Sequence, residues 1–132
     1  MTQTKKDLLL KDLCGRLPYR VKVQIKNEIV VLDSICDDDG YHFNFIGEDR
    51  EGVNIEEIKP YLFPLSSMTE EQQKEYRKIC DLDMTILENR PMKGEPFPAM
   101  YNSQDWLDAH HFDYRGLIPM GLAIDATGKN IY

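Results

Sequence analysis

The chain has 132 residues, 42% hydrophobic and 30% charged, with a formal net charge of −7. That composition fits one folded domain with room for a sizeable core and excludes a disordered chain. No apolar run approaches the roughly 18–20 residues that span a bilayer, so the sequence argues for no membrane partner. The net negative field repels phosphate backbones, which sets general nucleic-acid binding at a disadvantage.

Residues 5–14 read as a helix, with Leu9, Leu10, Leu13, Cys14 and Leu17 at three- and four-residue spacing on one face. Gly15 is the expected stop and Pro18 blocks continuation. From Tyr19 the period changes to two. Tyr19, Val21, Val23 and Ile25 alternate with Arg20, Lys22, Gln24 and Lys26, the mark of a strand with one buried and one basic face. Asn27-Glu28 reads as a turn into the β-branched run Ile29–Ile35. Asp37-Asp38-Asp39-Gly40 is a strong turn signal, since Asp tolerates and Gly freely adopts left-handed backbone angles. Tyr41, Phe43 and Phe45 then alternate with His42 and Asn44 as a third strand, and Val53–Ile55 offers a short fourth. The span 19–58 is thus expected to form a small antiparallel β-meander, curled into an SH3-like barrel if it closes.

Pro60 and Pro64 are expected to end the sheet. Thr69 and Gln72 form a capping box that starts a helix over 69–80. Met84–Leu87 reads as a further strand. Residues 89–102, with Pro91, Gly94, Pro96 and Pro98, read as an irregular loop. Ser103 is the expected cap of a helix over 103–111, and 117–132 supplies a last strand and tail. The fold class is α+β: one domain over 1–132, with an N-terminal helix, the meander and two further helices.

Cys14, Cys36 and Cys80 are odd in number and in no CxxC pairing. The opening residues carry no apolar stretch of signal-peptide length. Both features point to a reduced, cytoplasmic setting with three small buried thiols.

The richest stretch chemically is Trp106–Gly116, which holds the only tryptophan, two of the three histidines, Asp108, Asp113 and Arg115. A small metal-dependent enzyme would use His110 or His111 with Asp113. Adjacent helical residues point about 100° apart, however, so at most one of the two histidines can join such a site. The structural alternative packs Trp106 and His110 inward, one turn apart, with Asp113 and Arg115 tying down the turn at Gly116. The Asp37–Gly40 run lacks the alternate spacing of a calcium loop. No GxSxG, Walker loop, HExxH or GxGxxG occurs, so nothing in the chain asks for catalysis, and no cofactor is expected.

Two surfaces suggest binding. Arg20, Lys22 and Lys26 share a strand face that nucleic acid could use. Residues 33–57 carry nine acids against the single Arg50, a field that suits a basic protein partner. The candidate interaction surface is Trp106, His110, His111, Asp113, Tyr114 and Arg115, together with the 89–102 loop.

Ile58–Glu71, Trp106–Ile118 and Gly121–Ile124, just under a quarter of the chain, resemble a family of small uncharacterised proteins from anaerobic gut bacteria and their phages. The resemblance implies an intracellular accessory protein carried on phage or mobile DNA, and it supplies no catalytic residues. The leading expectation is a non-enzymatic interaction module with an unknown protein partner.

Overall fold

The computed structural model describes residues 1–88 and 102–132, with only the backbone course over 83–88. Of the irregular loop expected over 89–102, all but Asn102 lies outside the described residues.

Helix α1, Gln3–Arg16, starts on Thr2, whose hydroxyl accepts from the Lys5 amide at 3.2 Å. It extends past both ends of the expected 5–14. Gly15 is not its stop but one of its helical residues. The chain leaves the helix through a 3-10 turn at Leu17–Tyr19, closed by Arg20 at φ 53°. The buried residues of α1 are Leu9, Asp12, Leu13 and Arg16. A charged pair therefore occupies the stripe that sequence spacing assigned to Leu10, Cys14 and Leu17. The expectation of three buried thiols fails with it: Cys14 is exposed, as is Cys36 near the outer end of its strand, and Cys80 is half-buried.

Strand β1, Lys22–Ile25, keeps the expected alternation, with Val23 and Ile25 buried, but starts three residues later than the expected Tyr19, which lies in the 3-10 turn before the left-handed Arg20. Its hairpin to β2, Glu28–Asp37, turns at Lys26-Asn27 (φ 49° and 65°), one residue before the expected Asn27-Glu28. The second hairpin turns at Asp38–Gly40, with Asp37 opposite Tyr41 in strand β3, Tyr41–Phe45. A register shift between Leu32 and Ser34 marks a bulge in β2.

After β3 the chain departs from a meander. The expected strand at Val53–Ile55 is absent, and Ile55–Glu57 is a 3-10 turn. Pro60 and Pro64 do not end the sheet; they lie within β4, Lys59–Pro64. This strand pairs with β1, placing Val23 opposite Pro60. Pro60 has no N–H to give, and its neighbours 61–64 take other partners. Phe112–Asp113 (β5) and Ile124–Asp125 (β6) pair parallel to successive parts of β4. The strand order is β3-β2-β1-β4-β5, with β6 also on β4. The sheet is open, and the SH3-like barrel is not formed. Its closure would need β3 paired on its outer side, but the next strand adds at the far side of β1.

Helix α2, Glu70–Glu88, starts with the expected capping box: Gln72 N donates to Thr69 Oγ1 at 3.2 Å and Thr69 N to Gln72 Oε1 at 2.9 Å. It runs on through Met84–Leu87, so no strand forms there; no Gly or Pro interrupts 81–88. Helix α3, Asn102–Ala109, begins one residue before its expected cap Ser103 and ends two before His111. The expected final strand shrinks to β6, because 117–123 forms turns that bury Leu117, Leu122 and Ala123.

Two hydrophobic clusters result. The larger unites Leu9 and Leu13 of α1 with Val23, Ile25, Leu32, Phe43, Phe45 and Leu62 of the sheet. Each such side chain, once buried, contributes about 1.5–3 kcal/mol. The smaller gathers Trp106, Leu107 and Phe112 with Tyr76 and Ile79 of α2. Among the described residues, no helix is long and apolar enough to cross a membrane.

Candidate functional site

The segment 106–115 meets α1 through a cluster of charges. Arg16, fully buried, donates from Nε to Asp12 Oδ2 at 2.8 Å and from Nη2 to Asp12 Oδ1 at 3.1 Å. The same Nη2 donates to the Phe112 carbonyl at 2.6 Å. Arg115 Nη1 reaches Asp12 Oδ1 at 2.7 Å, and Arg16 Nη1 faces Asp108 Oδ1 at 3.9 Å. Tyr114 donates its hydroxyl proton to Asp108 Oδ1 at 2.7 Å while lying under both guanidinium groups. Burial raises the Asp108 carboxyl above the usual range, against the pull of Tyr114 and Arg16. Burial and that same carboxylate push Tyr114 up to about 12. Two arginines face two aspartates, and among the buried side-chain polar atoms of this cluster only Arg16 Nη1 makes no hydrogen bond.

Gly15 makes the cluster possible. A Cβ at this position would sit 3.2 Å from Asp108 Oδ2, tighter than side chains ordinarily pack, so glycine permits the close approach of α1 to α3.

Of the six candidate surface residues, two are buried. Trp106, 7% exposed, stacks on His110 at 4.0 Å and donates Nε1–H to Glu75 at 3.0 Å. Asp113 accepts from the Leu117 and Ile118 amides, both at 2.9 Å, which fixes the turn at Gly116. His110, His111, Tyr114 and Arg115 remain half-buried. Trp106 is therefore part of the packing between α2 and α3, whereas Tyr114 keeps part of its ring at the surface.

The residues of a metal site do not converge. His110 Nδ1 contacts the Trp106 carbonyl at 2.9 Å, whereas His111 stacks on Tyr132 at 3.7 Å. Both Asp113 oxygens are taken by backbone amides. Among the described residues, no three His, Cys, Asp or Glu side chains gather as a metal would require. His111 also stands at φ 61°, with Nδ1 buried and without a hydrogen bond. Burial first, then the charges of Arg16, His110 and Lys22, lowers its pKa to about 4.

The basic strand face is dispersed. Arg20 and Lys26 lie outside β1 in left-handed turn positions. Lys22 donates Nζ to the Ile131 carbonyl at 2.6 Å and sits over the Tyr132 ring. Tyr132 itself accepts from Lys22 N at 2.9 Å and donates to Tyr61 O at 2.9 Å. It pins the end of the chain across β1 and β4.

A different feature stands open. A cleft of about 520 Å³ runs between β3 (residues 41–44) and residues 50–54. His42 lines it; His110 lines a separate cavity of about 220 Å³ with Phe63 and Gln72. Both walls of the larger cleft are held. Val53 packs on the main core, and Arg50 pairs with Glu28 and with Glu48. Its charged lining is Arg50 and Glu51; Asp37, Asp38 and Asp39 come just before β3 in the chain and Glu48 and Asp49 just after it, all exposed.

Sequence reasoning singled out the acids but not the open edge, because strand order leaves no mark on a single strand. It also missed the Asp12–Arg16 pair. Their i,i+4 spacing on a helix was the available signal. The matches to known proteins end there: no family model, no curated protein and no solved structure matches the chain.

Proposed function

We propose that this chain is a non-enzymatic interaction module that acts inside the cell and contacts a protein partner through the acidic face of residues 33–57. The observation that carries this reading is the contrast in charge use. The charges of the Trp106–Arg115 region neutralise one another in a buried cluster, whereas the nine acids of residues 33–57 are all exposed, with Glu51 on the wall of the open cleft beside β3. An exposed surface dominated by one sign of charge recruits an oppositely charged partner and orients it. Three free cysteines, two of them exposed, suit a reducing compartment. The likeness of residues 58–71 and 106–118 to small proteins of gut bacteria and their phages supports an accessory role.

The test is a pull-down with the tagged protein from a lysate of its native host, nuclease-treated and read by mass spectrometry. One protein retained in stoichiometric amount is the expected result. Retention of nothing, or only of species that vanish with nuclease, overturns the reading.

A further inference from the structure

Among the described residues, strand β3 closes one side of the sheet, because the strand order begins with it and only β2 pairs along its length. The Ile46 amide donates to Val31 O at 3.0 Å. In an antiparallel ladder, alternate residues bond to the neighbour and the others face away. His42 and Asn44 therefore share the parity of Ile46 and bond towards β2. Tyr41 and Phe43 turn their N–H and C=O groups outward, into the cleft. Phe45, the third residue of that parity, is already bridged to Glu48.

Free strand edges are hazards that proteins blunt with lysine, proline or a covering segment. This one carries none of these in the strand itself, Tyr41-His42-Phe43-Asn44-Phe45. The facing wall stands off from it. At Gly52, φ 69°, an added Cβ would meet nothing within 4 Å. The cleft of about 520 Å³ thus lies directly beside the outer edge of β3.

Resting on the interaction-module reading, we infer that this cleft takes an extended segment of another protein, added to β3 as a further strand and carrying Lys or Arg near both ends. Main-chain bonds to Tyr41 and Phe43 supply the pairing, and charge supplies the selection. A five-residue strand spans about 17 Å. Basic side chains at the two ends of a matching segment would reach Asp38 and Asp39 on one side and Asp49 and Glu51 on the other. A second copy of this chain is the poorer occupant. Residues 33–57 carry nine acids against one arginine, so pairing β3 with β3 would bring two such fields together. Tyr41, 52% exposed, gives the incoming strand an apolar neighbour.

The experiment titrates the purified full chain with an eight-residue peptide that alternates lysine with valine or threonine. Binding is read by calorimetry and by hydrogen exchange of assigned amides. Saturable binding is expected, with new protection at the Tyr41 and Phe43 amides. The peptide with glutamate in place of lysine should bind at least about tenfold more weakly, and so should the native peptide to the double variant Asp38→Lys, Glu51→Lys. No binding at millimolar peptide overturns the inference. So does binding that leaves Tyr41 and Phe43 unprotected, or protection there that rises with protein concentration in the absence of peptide. Failure here with a partner retained in the pull-down leaves the interaction module standing and removes this edge from it. An empty pull-down with both amides protected by peptide does the reverse.

Discussion

The contact between α1 and residues 108–115 and the outer edge of β3 use the same chemistry to opposite ends. At the first, Asp12, Arg16, Asp108 and Arg115 turn their charges on one another, and Arg16 and Asp12 lose all contact with water. At the second, acids gather round unpaired backbone with only Arg50 among them. An inward set of charges positions elements but has nothing left for a partner. An outward set adds little to stability and keeps its field for recognition. The richest local sequence, Trp106–Gly116, belongs to the first kind, so chemical richness marked packing rather than a surface.

The comparison can be broken most directly at Arg16. Arg16→Met should lower the unfolding free energy by about 3–5 kcal/mol in a urea titration, because it leaves Asp12 buried with Arg115 alone. The double variant Asp12→Leu, Arg16→Met should lose less than the sum of the two single changes, since it removes both charges at once. Trp106→Ala should destabilise by about 3–5 kcal/mol through the cavity it leaves. A stability change near zero there would return Trp106 to the surface. Gly15→Val forces a Cβ and more against Asp108, and about 1–3 kcal/mol of overpacking should follow.

Acid sharpens the contrast further. The folded-state pKa of His111 is about 4, below its ordinary value near 6.5. Between those two values the unfolded chain binds a proton that the folded chain refuses. The stabilisation present above pH 6.5 is therefore lost as pH falls towards 4. With screening of a partly exposed ring, the loss should be about 1–2 kcal/mol. His111→Asn, which tolerates the left-handed backbone, should flatten that slope relative to the parent. Asp108, whose pKa is raised, gives a slope of the opposite sign in both proteins and cancels in the difference. The smallest effect belongs to the other region. Asp38→Lys with Glu51→Lys should move stability by no more than about 0.5 kcal/mol, while changing what binds at β3.

Periodicity and turn chemistry made much of the local structure legible. The alternation through Val21, Val23 and Ile25, the Asp38–Gly40 turn and the Thr69–Gln72 box each depend on neighbours within a few residues, and each stands where it was expected. Asp113 and the Trp106–His110 stack also follow the structural reading of that stretch. The burial of Trp106 was not legible, because exposure of an aromatic residue depends on what packs over it. Nothing around Trp106 announces the contacts from Tyr76 and Glu75.

The sequence by itself determined the class of the protein, its first three strands and the start of its second helix, since local backbone preference and side-chain period act over short range. Tertiary structure alone decided that β4 joins β1 rather than β3, that two-residue strands complete the sheet, and that Asp12 and Arg16 go inside. Arg16 finds Phe112 96 positions away and Asp12 finds Arg115 103 away. A charged pair enters a core only where such distant partners satisfy it, and a window of neighbours contains none of them. The open edge of β3 has the same origin, being the place where, among the described residues, no later segment returns to pair along the strand.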